Sequence, residues 1–347
     1  MFDEIKGQDR AIEVLKLAFV NPVNTYLFIG TRGIFIEQVA RNFASYLLNK
    51  SGVLDERIVN QIHPDVIEFM PFGVNYRVKE DVRDSMLSEL RKSPIESNSK
   101  VAIIHDAHLL RSDSANALLK SLEEPGANFY WILIAPSIDS VLPTIRSRCF
   151  EVEFSRISNE QISEQLDDAG INQDKIDLIS ALNLGRIDRA QNLATQYFPL
   201  LTCVKNMVKD FDKSGSYVAS KTQVLREVFD EISQDVISNN KKHLEQAKEN
   251  IKNAGYEDKV AKKILSDLKT KSEQQEKRLR SDLMKEFLDL LERYVIDEVK
   301  SSSSKFSVEA PSVIQDYKKR LLFNPSENLF IESLLSSLCL NQIRVNL

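Results

Sequence analysis

Cysteine is scarce and scattered. The 347 residues hold three, Cys149, Cys203 and Cys339. The number is odd and the spacings are long, which excludes an encoded disulfide framework or a CxxC zinc site. Reduced, mostly buried thiols of a cytosolic protein are expected instead. No apolar run approaches the ~20 residues that span a bilayer. The opening MFDEIKGQDR is charged where a signal peptide would be apolar, so neither a membrane nor a secretory role is expected. A basic excess is missing too. Lys and Arg number 46 against 51 Asp and Glu, a net charge of −5, which argues against a dominant basic field for nucleic acid but not against a local patch. What is present is ordinary for a globular chain, and its length predicts two or three domains.

Residues 1–156 alternate helical and strand periods. Ala11, Val14, Leu15 and Ala18 recur at helical spacing. Tyr26–Ile29 reads as a strand running into Gly30-Thr31-Arg32-Gly33, followed by a helix with Val39, Ala40, Phe43, Ala44, Leu47 and Leu48 on one face. Asp65–Phe69, Val101–Ile104 and Tyr130–Ala135 read as further strands, and Val78–Lys92 as a helix with Val82, Met86 and Leu90 inward. Strands separated by helices predict an α/β domain, a parallel sheet covered on both faces. Residues 157–197 predict a small helical domain, with helices over Asn159–Asp168, Asp174–Leu182 and Arg186–Tyr197. From 198 to 347 every segment reads as helix, an all-α domain with Ser301–Ser304 as a flexible break. One stripe runs through Val224, Leu225, Val228, Phe229, Ile232 and Val236, and another through Leu283, Phe287, Leu290, Leu291 and Tyr294. Between them, about 240–280, lies a charged insertion with a thin apolar stripe of Leu244, Ile251, Val260, Ile264 and Leu268. Such a run is ordinarily a solvated, salt-bridged helix face. A nucleic-acid or partner contact is the alternative.

The strand–glycine turn–helix at Gly30 has the context of a phosphate-binding loop but not its chemistry. A working loop, GxxxxGK[ST], offers backbone N–H groups, a Lys for the β/γ-phosphates and a hydroxyl for Mg²⁺. Here Ile34, Phe35, Ile36 and Glu37 follow Gly33. Gly30 and Gly33 are expected to serve the turn, and Glu37 would repel a triphosphate. The strand Val101–Ile104 ends in His105-Asp106, where an ATPase would carry Asp and Glu for Mg²⁺ and water. Imidazole is a poor ligand for that hard cation. Asp106 is expected to cap or hydrogen-bond, and His105 with His108 is too sparse a set for a metal. Neither a cofactor nor a metal is expected.

Several stretches together resemble one family. FDEIKGQ at Phe2–Gln8, His63-Pro64-Asp65 before a strand, SANALLKSLEEP at Ser114–Pro125 and LPTIRSRC at Leu142–Cys149 resemble the AAA+ subunits of the bacterial DNA polymerase III clamp loader. Asn324-Pro325 with Glu332 and Leu334-Leu335 resembles their C-terminal oligomerising helix. The resemblance spans nearly the whole chain, and the degenerate loop selects the family's ATPase-inactive branch. The charged insertion resembles the actinobacterial form. Three features depart from the motor subunits: no cysteines stand in Asn49–Ile62 where relatives often carry a zinc module, Asp188 replaces the Arg of the lid's Gly-x-x-Arg after Gly185, and Pro136-Ser137 stands where a polar sensor follows the strand, with Ser137 expected to be a turn residue.

The resemblance implies a cytoplasmic subunit of a ring-like complex with gamma/tau and delta subunits. It would reach the sliding clamp through the complex and primed DNA weakly or indirectly, with no membrane contact. It implies that Arg148 of Ser147-Arg148-Cys149 acts in trans as an arginine finger on a neighbour's ATP, a role worth about 10³–10⁵ in rate where it is known. Pairing of Arg148 with Glu151 or Glu153 is the structural alternative, and Arg146 is expected to be structural. The helical part, about 198–347, would join a collar. Ser114, Asn116 and Lys120 lie early in a helix and are candidates for DNA phosphate, with capping and surface roles as the alternative. An active AAA+ motor, and a nucleic-acid-binding protein using 240–280, are the competing functions. Whether the chain is itself an enzyme stays open.

Overall fold

The computed structural model describes the chain from Phe2 to Asn341, except Asp3, Glu4, Arg32, Ser51, Gly52, Phe72, Gly73, Val74, Arg91, Ala127, Lys213, Ala254, Ser302, Ser303 and Asn324. Parts of the opening motif, of the turn at Gly30, of the serine break and of the Asn324-Pro325 motif therefore lie outside the described residues. The chain forms two compact units, 1–190 with 246–268, and 191–245 with 269–347. Residues 157–190 fall in the first unit, and so does a piece of the charged insertion.

The first unit opens with α1 (Asp9–Ala18), β1 (Thr25–Ile29), α2 (Ile36–Asn49), the one-turn α3 (Glu56–Val59) and β2 (Val66–Phe69). A wide π-helical stretch, Val78–Met86, continues into α4 (Leu87–Leu90) where a plain α-helix was expected. The Val82 N–H bonds five residues back to the Arg77 carbonyl at 3.2 Å, the i→i+5 pattern of that helix. Val82 and Met86 still face inward. Then come β3 (Lys100–Ile104), α5 (Ser112–Glu123), β4 (Phe129–Ala135), α6 (Pro143–Arg146) and β5 (Phe150–Glu153). The five strands are parallel, in the order β2-β3-β4-β1-β5.

Composition explains the order. The central strands β1, β3 and β4 are buried at every residue and apolar apart from Thr25 and Lys100 at the starts of β1 and β3, as strands covered on both faces must be. The edge strands β2 and β5 carry glutamates and stay partly exposed. Fully buried Trp131, Tyr26, Phe28 and Phe43 fill the core. Burying each large apolar side chain contributes about 1.5–3 kcal/mol.

After the sheet come α7 (Asn159–Asp168), α8 (Gln173–Ser180) and α9 (Ile187–Ala194). A Ser158/Gln161 capping box starts α7, and Gly170, at φ 75°, follows its end. The second unit contains α10 (Phe198–Lys209), most of α11 (Gly215–Asn253) and α12 (Asp258–Val299), α13 (Ala310–Arg320) and α14 (Glu327–Asn341). Its core takes Leu225, Phe229, Leu283, Phe287, Leu290 and Leu334. Val224, expected on that stripe, is 41% exposed. No helix among the described residues is long and apolar enough to cross a membrane.

Candidate functional site

The loop between β1 and α2 carries glycines at 30 and 33 but not the lysine and hydroxyl of a phosphate loop. In the pattern GxxxxGK[ST], the second glycine, the lysine and the hydroxyl fall on Phe35, Ile36 and Glu37. Phe35 holds φ 68°, a left-handed conformation that glycine adopts freely and a bulky residue rarely does. Ile34 and Ile36 are fully buried and Glu37 half-buried. The lysine position thus packs into the core instead of facing an anion.

The cradle is also covered. Gly33, at φ 80°, leaves no room for a Cβ because the Asp188 carboxylate lies against it. The Ile187 N–H donates to the Gly33 carbonyl at 2.8 Å. Arg186 donates to Asp188 through Nη2 at 2.7 Å and Nε at 3.1 Å, and the Arg189 N–H donates at 2.6 Å. A carboxylate therefore stands at the loop. Gln8, from the opening motif, closes the other side: its Nε2 donates to the Ile34 and Ser155 carbonyls at 3.2 and 2.8 Å, and its Oε1 accepts from the Ser155 N–H at 3.0 Å.

At the end of β3 the acid is used up internally. His105 Nε2 lies 2.8 Å from Glu68 Oε2 on β2. Arg41 of α2 donates to the same carboxylate through Nε at 2.8 Å and Nη2 at 3.1 Å. The side chains of His105, Glu68 and Arg41 are 4%, 2% and 19% exposed. Burial works to lower the Arg41 pKa, but Glu68 outweighs it and the group is raised. Sequence reasoning missed Arg41 and Glu68. The available signal was weak, a single charge inside the apolar strand Val66–Phe69 and another between Ala40 and Asn42. Asp106 turns the chain at φ 50°, and its carbonyl accepts from the Leu109 N–H at 2.8 Å. Among the described residues no group of three or more His, Cys, Asp or Glu is placed to hold a metal.

Arg148 sits in the turn between α6 and β5. Its guanidinium is paired with Glu123, the last residue of α5, and Nη1 donates to the Thr144 carbonyl at 2.9 Å and to Ser147 Oγ at 3.1 Å. Glu123, rather than the alternative Glu151 or Glu153, is its carboxylate partner. Arg146 takes Glu151 at 2.7 Å. The neighbouring Cys149 thiol donates to the Ile145 carbonyl at 3.2 Å, and burial pushes it up to about 12. Ser137 is extended and precedes a one-turn 3-10 helix, Ile138–Ser140, its carbonyl accepting from Ser140 Oγ at 2.6 Å.

On α5, Ser114 is removed from the DNA-contact candidates. It is 1% exposed, and its hydroxyl donates to the Tyr76 carbonyl at 2.8 Å. Nor is it the cap, a place taken by Arg111. Asn116 and Lys120 are exposed one turn apart, and Glu123 continues the same stripe. His63-Pro64-Asp65 is structural: the buried Asp65 carboxylate accepts the N–H groups of Ile95, Glu96 and Ser97 at 2.6, 2.9 and 2.8 Å.

A parallel sheet of this order, a glycine turn into α2 and helices after β5 define an α/β domain of the AAA+ class. Residues 7–158 match the family described as "DNA polymerase III, delta subunit". It is 32% identical over 172 residues to the DNA polymerase III subunit gamma of Buchnera aphidicola subsp. Acyrthosiphon pisum, covering 46% of this chain and 47% of that one. The tau subunit of Escherichia coli K12 is 31% identical over 177 residues, covering 48% and 27%. The delta' subunit of Haemophilus influenzae is 36% identical over 127 residues, covering 36% and 38%. The chain thus spans about half or less of the length of these relatives. A gamma-subunit-related protein of Thermotoga maritima superposes with a TM-score of 0.48 at 19% identity, covering 95% of this chain and 100% of that one.

Proposed function

We propose that this chain is the delta prime type of clamp-loader subunit: it does not turn over ATP, and it serves a neighbouring ATPase subunit in trans. The observation that carries the reading is the closed loop. Ile36 is buried in the lysine position, Glu37 replaces the hydroxyl, and the Asp188 carboxylate covers Gly33. Three negative phosphates would meet one or two carboxylates and no lysine, in a setting where like charges repel strongly. Arg148, on a short turn at the edge of the sheet domain and 30% exposed, is the group offered to the neighbour. A guanidinium there can stabilise charge on transferring phosphoryl oxygens. Partners in this reading are the gamma/tau and delta subunits, with clamp and primed DNA reached through the assembly. The helices of the second unit supply the collar contacts.

Two measurements test it. Calorimetric titration of the isolated chain with Mg·ATP gives no binding in the micromolar range and no turnover. Micromolar affinity with hydrolysis identifies an active motor instead, the activity of the gamma and tau relatives' class. In a complex reconstituted with the ATPase subunits, Arg148→Ala leaves assembly intact and lowers DNA-stimulated ATPase. Unchanged ATPase removes Arg148 from the mechanism.

A further inference from the structure

The tip of the charged insertion is not a solvated arm. Residues 246–268 form part of the sheet unit. Gly255, at φ 70°, lies in the turn between α11 and α12. Ile251 and Ile264 meet across the hairpin and bury against Ile62, at 3%, 8% and 3% exposure, with Tyr256, Val260 and Leu268 packed around them. Ile62 lies three residues past the end of α3, a single turn too short to persist without tertiary support.

Polar contacts fix the register of this packing. Arg57 of α3 donates to the Tyr256 hydroxyl at 2.9 Å while holding Asp55 at 2.7 Å and Glu96 at 2.9 Å. Lys263 donates to Glu89 at 2.8 Å. That carboxylate is 5% exposed and also receives Lys92 at 2.6 Å and Lys100 at 3.1 Å. Lys263 thus seats on a buried carboxylate, where a positive side chain is favoured and a negative one is repelled. Through Arg57 and Glu96 the contact extends to the loop 95–97, which Asp65 pins at the start of the edge strand β2.

We propose that residues 246–268 are an intramolecular latch whose docking orders the margin of the sheet beside β2. Ile251 and Ile264 supply the apolar contact. Lys263 and Tyr256 determine where it seats. The latched margin comprises 55–63 and 95–97, so its order depends on a segment far along the chain, Arg57 and Tyr256 being 199 residues apart. Undocking exposes Ile62 beside the acidic Asp55, Glu89 and Glu96.

Hydrogen–deuterium exchange on the full chain tests this. In Lys263→Glu and in Ile264→Ala, amides of 56–62 and 95–97 exchange about tenfold faster, the loss of about 1.4 kcal/mol of local protection. Amides of β4 keep their wild-type rates. Lys262→Glu, the same charge change on an exposed neighbour, leaves both segments unchanged. Tyr256→Phe removes one hydrogen bond and no packing, and gives a smaller acceleration in the same two segments. It carries the test if the charge reversal does not fold. Wild-type exchange in Ile264→Ala and Tyr256→Phe overturns the latch. So does an acceleration spread equally over β4, or one reproduced by Lys262→Glu.

Discussion

The Arg148 guanidinium is folded back onto the carboxylate of Glu123 in its own chain. Glu123 closes α5, and Arg148 lies in the turn between α6 and β5. Both are partly exposed, so the pair is a weak surface contact of about 0–1 kcal/mol. A γ-phosphate from a neighbouring subunit, with more charge and more acceptor oxygens, would compete well for the same fork.

Glu123→Gln should therefore release Arg148 without dismantling anything. In the reconstituted complex the expected outcome is intact assembly and an ATPase rate at or above wild type, measured beside Arg148→Ala. A fall as deep as that of Arg148→Ala would mean that Glu123 holds Arg148 in its working position.

Restoring the loop requires more than its lysine. Ile36→Lys alone puts an ammonium into a fully buried position and is expected to lower stability, by the several kcal/mol that an unpaired buried charge costs. Combined with Glu37→Thr and Asp188→Arg, it gains an anion to face and loses the covering carboxylate. Mg·ATP binding measurable by calorimetry is expected only in the triple variant.

The Arg41–Glu68–His105 group is a structural element. Arg41→Ala leaves the Glu68 carboxylate, 2% exposed, without its cation and should cost about 3–5 kcal/mol in urea unfolding. Pairing Arg41→Met with Glu68→Gln should cost less than Arg41→Ala by itself, because both charges go together.

Glu89 sets an acid limit. Burial would raise its carboxyl, but Lys263, Lys92 and Lys100 outweigh that and hold it down at about 2 against an ordinary 4.5. A depressed carboxyl stabilises fully above its unfolded value and loses that contribution as pH falls towards its folded one. The difference in stability between wild type and Glu89→Gln should be constant above pH 5, then shrink between about 4.5 and 2. The part lost across that window is about 3 kcal/mol. Thermal melts across that range check it.

The alternation of periods, the buried runs of β1, β3 and β4, and the absence of Lys-Ser/Thr after Gly33 were all legible from the chain alone. Each is a local property: a run of apolar residues reports how many faces are covered, and a missing side chain cannot be supplied by folding. What only the tertiary structure decided is which distant groups meet. Asp188 on Gly33, Glu68 between Arg41 and His105, Glu123 rather than Glu151 on Arg148, and Lys263 on Glu89 all join residues from separate segments. Ser114 turned inward because its helix packs on Tyr76. The charged insertion misled for the same reason. Its thin stripe of Ile251, Val260, Ile264 and Leu268 is a poor signal for an isolated helix, and it becomes a core only where Ile62 stands opposite. Periodicity states which face of an element is apolar; it is the packing of other elements that determines what that face buries.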